Sequence, residues 1–207
     1  MSEERRTKVA SLPSLKDILK SVVNRPAVNT TRNALMWGVA WLIISAIGGW
    51  HLHIAPTSAL GYDLFGYMPL LWHLAINVAL GIAFTLPFIL AALIVNRQAS
   101  IVETFSRLLF AHWPAVLMLL PAMTVSGDRY ALLNNNLRVA FELDATSATL
   151  FALLLAVVVV WIVRWAYVAF RKATQRGGYV ILMLFGVALI VAAVATEWAL
   201  QLIYSAI

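Results

Sequence analysis

The chain has 207 residues, of which 62% are hydrophobic and 12% are charged, with a formal net charge of +6 and no cysteine. A soluble domain carries about 25% charged residues, so this chain has too little polar surface to cover a water-soluble globule. The composition therefore excludes a soluble enzyme, a disordered chain and a disulfide-stabilised scaffold, and it indicates a polytopic membrane protein.

The first 33 residues form a basic segment with seven Lys and Arg residues. Between residues 12 and 23 the apolar residues recur at helical spacing, and Ser14 and Asp17 are spaced as in a capping box. Pro26 predicts the end of this helix. A basic amphipathic helix beside a membrane span is typical of the headgroup layer, although it could also pack on the loops of its own bundle. We expect residues 1–33 to be cytoplasmic.

Five windows without charged residues divide the rest of the chain. Each is 19 to 33 residues long, which suits one crossing, because a bilayer core about 30 Å thick needs about 20 helical residues. The sequence therefore predicts an all-α fold with a single transmembrane domain of five helices over residues 34–203. The predicted spans are residues 34–54, 67–95, 108–125, 146–170 and 178–203.

The Lys and Arg residues predict the orientation of these spans. Twelve of the 15 lie before the first span, between the second and third, or between the fourth and fifth. By the positive-inside rule the N-terminus is cytoplasmic and the C-terminus lies outside. The charge is spread over three segments and does not form a basic face with interleaved aromatic residues, so we expect no nucleic-acid partner.

A second amphipathic helix is predicted over residues 100–109, before the third span. Ile101 and Phe105 belong to its apolar face, whereas Glu103 and Arg107 form an i,i+4 ion pair on the other face. We expect this helix to run along the cytoplasmic surface and to turn into the third span near Pro114.

Two stretches, residues 95–123 and 161–203, resemble the Yip domain family of Ypt/Rab-interacting-type membrane proteins, particularly its bacterial branch. The residues that carry the resemblance are 99–105 (ASIVETF), 110–114 (FAHWP), 167–173 (YVAFRKA) and 185–189 (FGVAL). The family has five spans and a cytoplasmic N-terminus. The resemblance implies a non-enzymatic protein of membrane organisation or trafficking in the bacterial inner membrane.

Two charged residues, Arg164 and Glu197, lie within the predicted spans, and such residues are candidates for function. Arg164 could snorkel to the cytoplasmic headgroups, or contact Glu103 or a lipid phosphate. Glu197 is expected to be neutral or paired, because burial of an unpaired carboxylate is costly. His73 lies at a similar predicted depth and is its best candidate partner. A proton or cation path through this pair is the alternative.

Three histidine positions raise the question of a metal. His51, His53, Asp63 and His73 could hold a zinc-like ion at the outer side, but an interfacial belt of aromatic and imidazole side chains explains them more simply. His73 and His112 lie near opposite membrane faces and cannot ligate one haem. The chain has none of the common catalytic motifs, so we expect no enzymatic activity, metal or cofactor.

Three functions therefore remain open. The first is a Yip-type protein that acts through protein or lipid contacts. The second is a small ion-coupled transporter or channel that uses Glu197 and His73. The third is an accessory subunit of a larger membrane complex, or a self-associating protein, which the eight tryptophans and the recurring small residues suggest. A water-accessible cavity that reaches Glu197 would favour the second function over the first.

Overall fold

The structure is a computed structural model that describes residues 30–52, 54–56, 62–64, 68–120 and 145–206. The predicted amphipathic helix before residue 24 and the predicted outer connection near residues 127–144 lie outside this part of the chain. The elements in chain order are α1 (Thr31–Leu52), β1 (Ile54–Pro56), β2 (Tyr62–Leu64), α2 (Leu70–Val95), α3 (Ile101–Ala111), a 3-10 helix (Trp113–Met118), α4 (Ala145–Thr174) and α5 (Tyr179–Tyr204).

Four of the described helices are long and apolar enough to cross a membrane: α1, α2, α5 and the Ala152–Thr174 part of α4. They correspond to the predicted spans at 34–54, 67–95, 146–170 and 178–203, and their ends differ from the predictions by a few residues. Because a helix satisfies its own backbone hydrogen bonds in lipid, uncharged windows of this length fold as helices. The chain is a helical integral membrane protein.

The structure of the third predicted span differs from the single α-helix that the sequence predicts. Residues 108–111 belong to α3, which begins at Ile101, and after His112 the chain continues as a 3-10 helix. Pro114 has no N–H group, and its ring would clash with the carbonyl of Phe110 in a continuous α-helix. A single α-helix over residues 108–125 is therefore wrong for the described part, which ends at Leu120.

The stretch from residue 101 to residue 120, here called the broken segment, runs beside α1 and in the same direction. Leu109 lies against Gly38, and Leu119 lies against Gly48. The rings of Trp37 and Trp113 are 5.3 Å apart. Leu109 to Leu119 is ten residues, and so is Gly38 to Gly48, so the broken segment and α1 lie side by side over this length.

The location of α3 also corrects a prediction. Ile101 and Val102 are exposed, as expected at a surface, but the side chains of residues 108–112 are buried. Helix α3 packs against α1, α2 and α4. It does not lie along the cytoplasmic surface over its whole length, because its second half fills the space between these three helices.

Helix α5 packs along α2 in the opposite direction. The rings of Phe88 and Phe185 are 5.3 Å apart, whereas Leu200, near the other end of α5, joins the same cluster as Ile76. The small residues Ala188, Ala192 and Thr196 are all buried on α5, which allows close approach of the two helices. The corresponding stripe on α4, Ala152 and Ala156, is exposed.

One short hairpin departs from the all-α prediction. Strands β1 and β2 are antiparallel, with Ile54 opposite Leu64 and Ala55 opposite Asp63. The hairpin folds back onto α1, where the carbonyl oxygen of Ile54 lies 2.7 Å from the position that a Cβ atom would take on Gly49. The missing side chain of Gly49 makes this close approach possible.

The bundle has one end that we call the basic end: the start of α1, the last turn of α2, the start of α3, the last turns of α4 and the start of α5. Asn96 donates a hydrogen bond from Nδ2 to the carbonyl of Ala173, at 3.0 Å, and so joins α2 to α4. Apart from Arg164, the Lys and Arg residues of the described part belong to this end. They are Arg32, Arg97, Arg107, Arg171, Lys172 and Arg176.

Candidate functional site: a polar cavity at the basic end

The first turn of α3 forms one wall of the candidate site. Ser100 caps this helix: its hydroxyl accepts the N–H of Glu103 at 3.2 Å, and its carbonyl accepts the hydroxyl of Thr104 at 2.8 Å. An N-cap satisfies otherwise unpaired N–H groups, and the helix dipole favours a carboxylate in the first turn. The cap therefore fixes the position of Glu103 at the basic end of the bundle.

Glu103 contacts two cationic side chains. Its Oε1 atom is 2.9 Å from Nε of Arg107 and 4.0 Å from Nζ of Lys172. The contact with Arg107 is the i,i+4 pair that the sequence predicts. Arg107 is largely buried, with 12% of its side chain exposed, so solvent screens this pair less than an ordinary surface pair.

Sequence reasoning missed Lys172 as a member of this site. Lys172 lies in the last turn of α4, far from Glu103 along the chain, and it reaches the carboxylate because α3 and α4 are packed together. The available signal was a basic residue at the predicted cytoplasmic end of a span. That signal gives the depth of a side chain in the membrane, but it does not identify the neighbouring helix.

These residues surround a cavity of about 100 Å³. The volume suits a few water molecules or a small ionic group. The two cations and one carboxylate leave a net charge of +1 at its wall. The polar side chains that line the cavity are Gln98, Ser100, Glu103, Thr104, Arg107, Lys172 and Gln175.

A smaller cavity of about 20 Å³ adjoins the first one. Arg107, Lys172 and Ala169 line both cavities, but the other residues of the second are apolar. Trp165 stacks on Phe110 there, with ring centroids 4.9 Å apart and planes 13° apart. The polar lining of the larger cavity is therefore followed directly by the apolar lining of the smaller one.

The structure does not bring Glu197 and His73 together. Glu197 is exposed on α5, and its Oε1 accepts a hydrogen bond from Nε2 of Gln201 at 3.5 Å. His73 is buried on the side of α2 that faces α1, where its Nδ1 is 3.1 Å from the Cβ position of Gly49. Neither cavity described above is lined by Glu197.

Arg164 lies on the exposed side of α4. The carboxylate of Glu103, which the sequence offered as a partner of Arg164, is instead paired with Arg107 and Lys172. Snorkelling of Arg164 to the headgroups, or its contact with a lipid phosphate, stays a prediction.

The histidine positions do not form a common site in the described residues. His51 is exposed in the last turn of α1 and Asp63 lies in β2, whereas His53 is outside the described part. Over the ranges that the structure covers, no three His, Asp or Glu residues are grouped for a metal. His112 packs on Phe84, eleven residues and about 16 Å along α2 from His73.

Polar side chains inside the bundle mostly bond to their own helices. The hydroxyls of Thr85 and Thr196 donate to carbonyls four residues earlier, at 2.8 and 2.7 Å, and Asn77 does the same through Nδ2 at 2.8 Å. Aromatic rings fill the space around them, among them Phe84, Phe88, Phe170 and Phe185. At the basic end, by contrast, the side chain of Glu103 contacts Arg107 and Lys172 on two different helices.

Fold and site together define a class of protein, a polytopic helical membrane protein with a polar cavity at one end of its bundle. Comparison of the chain with protein-family models, with curated proteins and with solved structures finds no match.

Proposed function

We propose that the chain is a non-enzymatic membrane protein of Yip-domain type, which crosses the membrane five times and acts in membrane organisation through protein or lipid contacts. One observation carries this proposal: Glu103, Arg107 and Lys172 meet around a cavity at the basic end. A transporter would use Glu197, the acidic residue within the predicted spans, but this side chain is exposed on the surface of the bundle. The partner surface is therefore the basic end.

The packing supports five crossings. The broken segment runs parallel to α1, and α4 runs antiparallel to the broken segment: Phe110 stacks on Trp165 near the basic end, and Met118 joins the cluster of Val158 further along. Helix α5 then returns along α2. With the basic end in the cytoplasm, as the positive-inside rule predicts, this order supports a C-terminus on the outer side.

Single cysteines can test this topology, because the chain has none of its own. We expect an impermeant maleimide, applied to intact cells, to label Asn135→Cys and Ser205→Cys. Gln98→Cys and Gln175→Cys should be labelled only after permeabilisation, since they belong to the basic end. Labelling of Asn135→Cys only after permeabilisation would show that the broken segment does not cross, and labelling of Gln98→Cys in intact cells would reverse the orientation.

The partner surface can be tested with a photo-crosslinking amino acid placed at single positions. We expect protein adducts in native membranes from Gln98 and Gln175, at the polar cavity, and only lipid adducts from Val160 and Ile190. The latter two are matched controls, each 67% exposed in the middle of a spanning helix. Protein adducts confined to Val160 or Ile190 would contradict the proposal and favour an accessory subunit held through its spanning helices.

A further inference from the structure

The exposed side of α5 carries two polar side chains in its second half. Glu197 and Gln201 are both exposed, whereas every other exposed residue of α5 between Val180 and Leu202 is apolar. The two are four residues apart and therefore share one side of the helix. Together they form a polar patch on a surface that otherwise suits lipid.

The polar patch lies within the membrane-spanning part of α5. Glu197 is seven residues before Tyr204, the last residue of the helix, which is about 10 Å of helical rise. The packing agrees with this depth, since Leu200 belongs to the same cluster as Ile76, six residues inside the first residue of α2. Long Lys and Arg side chains reach the headgroups from such a depth, but the side chain of glutamate is too short to do so.

The hydrogen bonds of the polar patch are incomplete within the described residues. The carboxylate of Glu197 accepts a hydrogen bond from Nε2 of Gln201 at 3.5 Å, which is longer than the usual N–H···O distance of about 2.7 to 3.2 Å. The carboxylate has a second oxygen and the amide has a second N–H group. Charged residues in spans almost always face protein or water, because lipid neither solvates nor pairs them. We therefore expect protein to cover the patch.

We propose that a second copy of the chain covers the polar patch, so that two α5 helices cross at Glu197 and Gln201 in a symmetric dimer. Two copies in one membrane have the same orientation, so a twofold axis along the membrane normal brings the two patches together at the same depth. The second N–H group of each Gln201 then donates to the Glu197 carboxylate of the other copy. The patch contains both a donor and an acceptor and is therefore complementary to itself, whereas a partner helix with a basic residue would pair with Glu197 alone.

A small residue beside the patch indicates how the helices cross. Ala193, Glu197 and Gln201 follow one another at intervals of four residues, and Ala193 is also exposed. Rows of small and polar residues at this spacing pack with right-handed crossing angles of about −40°. Helices at this angle separate on either side of the crossing, so Ile190, about 10 Å before Glu197, remains in contact with lipid.

Single-molecule photobleaching measures the dimer, with the full chain labelled and reconstituted in vesicles of phosphatidylglycerol and phosphatidylethanolamine at several protein densities. We expect Glu197→Leu to weaken dimerisation about tenfold, or about 1.4 kcal/mol, because two interhelical hydrogen bonds are lost. Glu197→Gln keeps a hydrogen-bonding side chain and should retain most of the affinity. Arg164→Leu is the matched control, because it removes the other charged residue of the predicted spans, exposed on α4, and should leave the dimer unchanged.

Disulfide formation locates the interface, since the chain has no cysteine of its own. Val194→Cys, one turn before Glu197, should give a disulfide-linked dimer on mild oxidation. Val160→Cys, on α4, should not, although Val160 is the more exposed of the two, at 67% against 53% for Val194.

A wild-type chain that stays monomeric at the highest protein density overturns the proposal, and so does an equal loss of dimer in Glu197→Leu and Arg164→Leu. Equal disulfide yields from the two cysteine variants would show random collision and overturn it as well. If a photo-crosslinking amino acid at Val194 joins α5 only to a different protein in native membranes, the patch belongs to another subunit and the dimer is wrong. The dimer does not depend on the basic end, so each of these results leaves the proposed function unaffected.

Discussion

Replacing Gly38 with valine should destabilise the bundle by about 2 to 3 kcal/mol, in the upper range for overpacking a well-filled core. A Cβ atom on Gly38 would lie 2.9 Å from Cγ and Cδ2 of Leu109. Leu109 cannot move away freely, because its other side lies against α2. Its Cδ1 atom is 2.9 Å from the position that a Cβ atom would take on Gly81. Leu109 is thus held between two glycines, and van der Waals packing of this kind is a main stabilising term for helices in lipid.

Thermal unfolding of the purified chain in detergent measures this effect. About 2 to 4 °C of melting temperature are lost per kcal/mol in a chain of this size. Gly186→Val is the matched control, since a Cβ atom on Gly186 would meet nothing within 4 Å. In the double variant with Leu109→Ala, the added cost of Gly38→Val should largely disappear. Equal destabilisation by the two glycine variants, or additive costs in the double variant, would refute the packing of Leu109.

Replacing His112 with alanine should cost about 3 to 5 kcal/mol, as for other large buried rings. The ring of His112 lies 4.9 Å from that of Trp41 and 4.3 Å from that of Phe84. Its Nδ1 is 3.1 Å from the carbonyl oxygen of Leu108, and since a carbonyl only accepts, Nδ1 carries the proton and donates. The bond is made at the end of α3, where the 3-10 helix begins.

Two further variants separate the ring from the hydrogen bond. His112→Phe keeps an aromatic ring between Trp41 and Phe84 but removes the donor, so we expect a cost of only about 1 kcal/mol. His51→Ala is the control, because His51 is exposed at the other end of α1. The measurement is again the melting temperature in detergent. If His112→Ala melted with the wild-type chain, the ring would not contribute to the junction of α3 and the 3-10 helix.

Local spacing was sufficient to predict the pair of Glu103 and Arg107, because residues four apart share one face of a helix. It was not sufficient for Lys172, whose position depends on the packing of α3 against α4. The same limit explains why the predicted pairing of His73 with Glu197 is wrong. Their depths follow from residue numbers at about 1.5 Å each, but the side of the helix that each occupies depends on rotation about the helix axis.

Windows without charged residues were sufficient to predict the four helices that are long and apolar enough to cross a membrane, because lipid accepts only backbone whose hydrogen bonds are made internally. Twelve of the 15 Lys and Arg residues also lie in alternate connections, which predicts the orientation. The rotation of each helix about its axis depends on how the helices pack, and this packing leaves Glu197 exposed and buries His73 and His112.

The broken segment depends both on a residue that is visible in the sequence and on contacts made only in the folded bundle. Pro114 was visible in the sequence and marks the place where an α-helix cannot continue. That the chain nevertheless proceeds beside α1 depends on contacts distant in sequence, those of Leu109 with Gly38 and of Leu119 with Gly48. Steric fit between side chains and glycines on other helices is a property of the folded bundle, so no local pattern in the sequence predicts it.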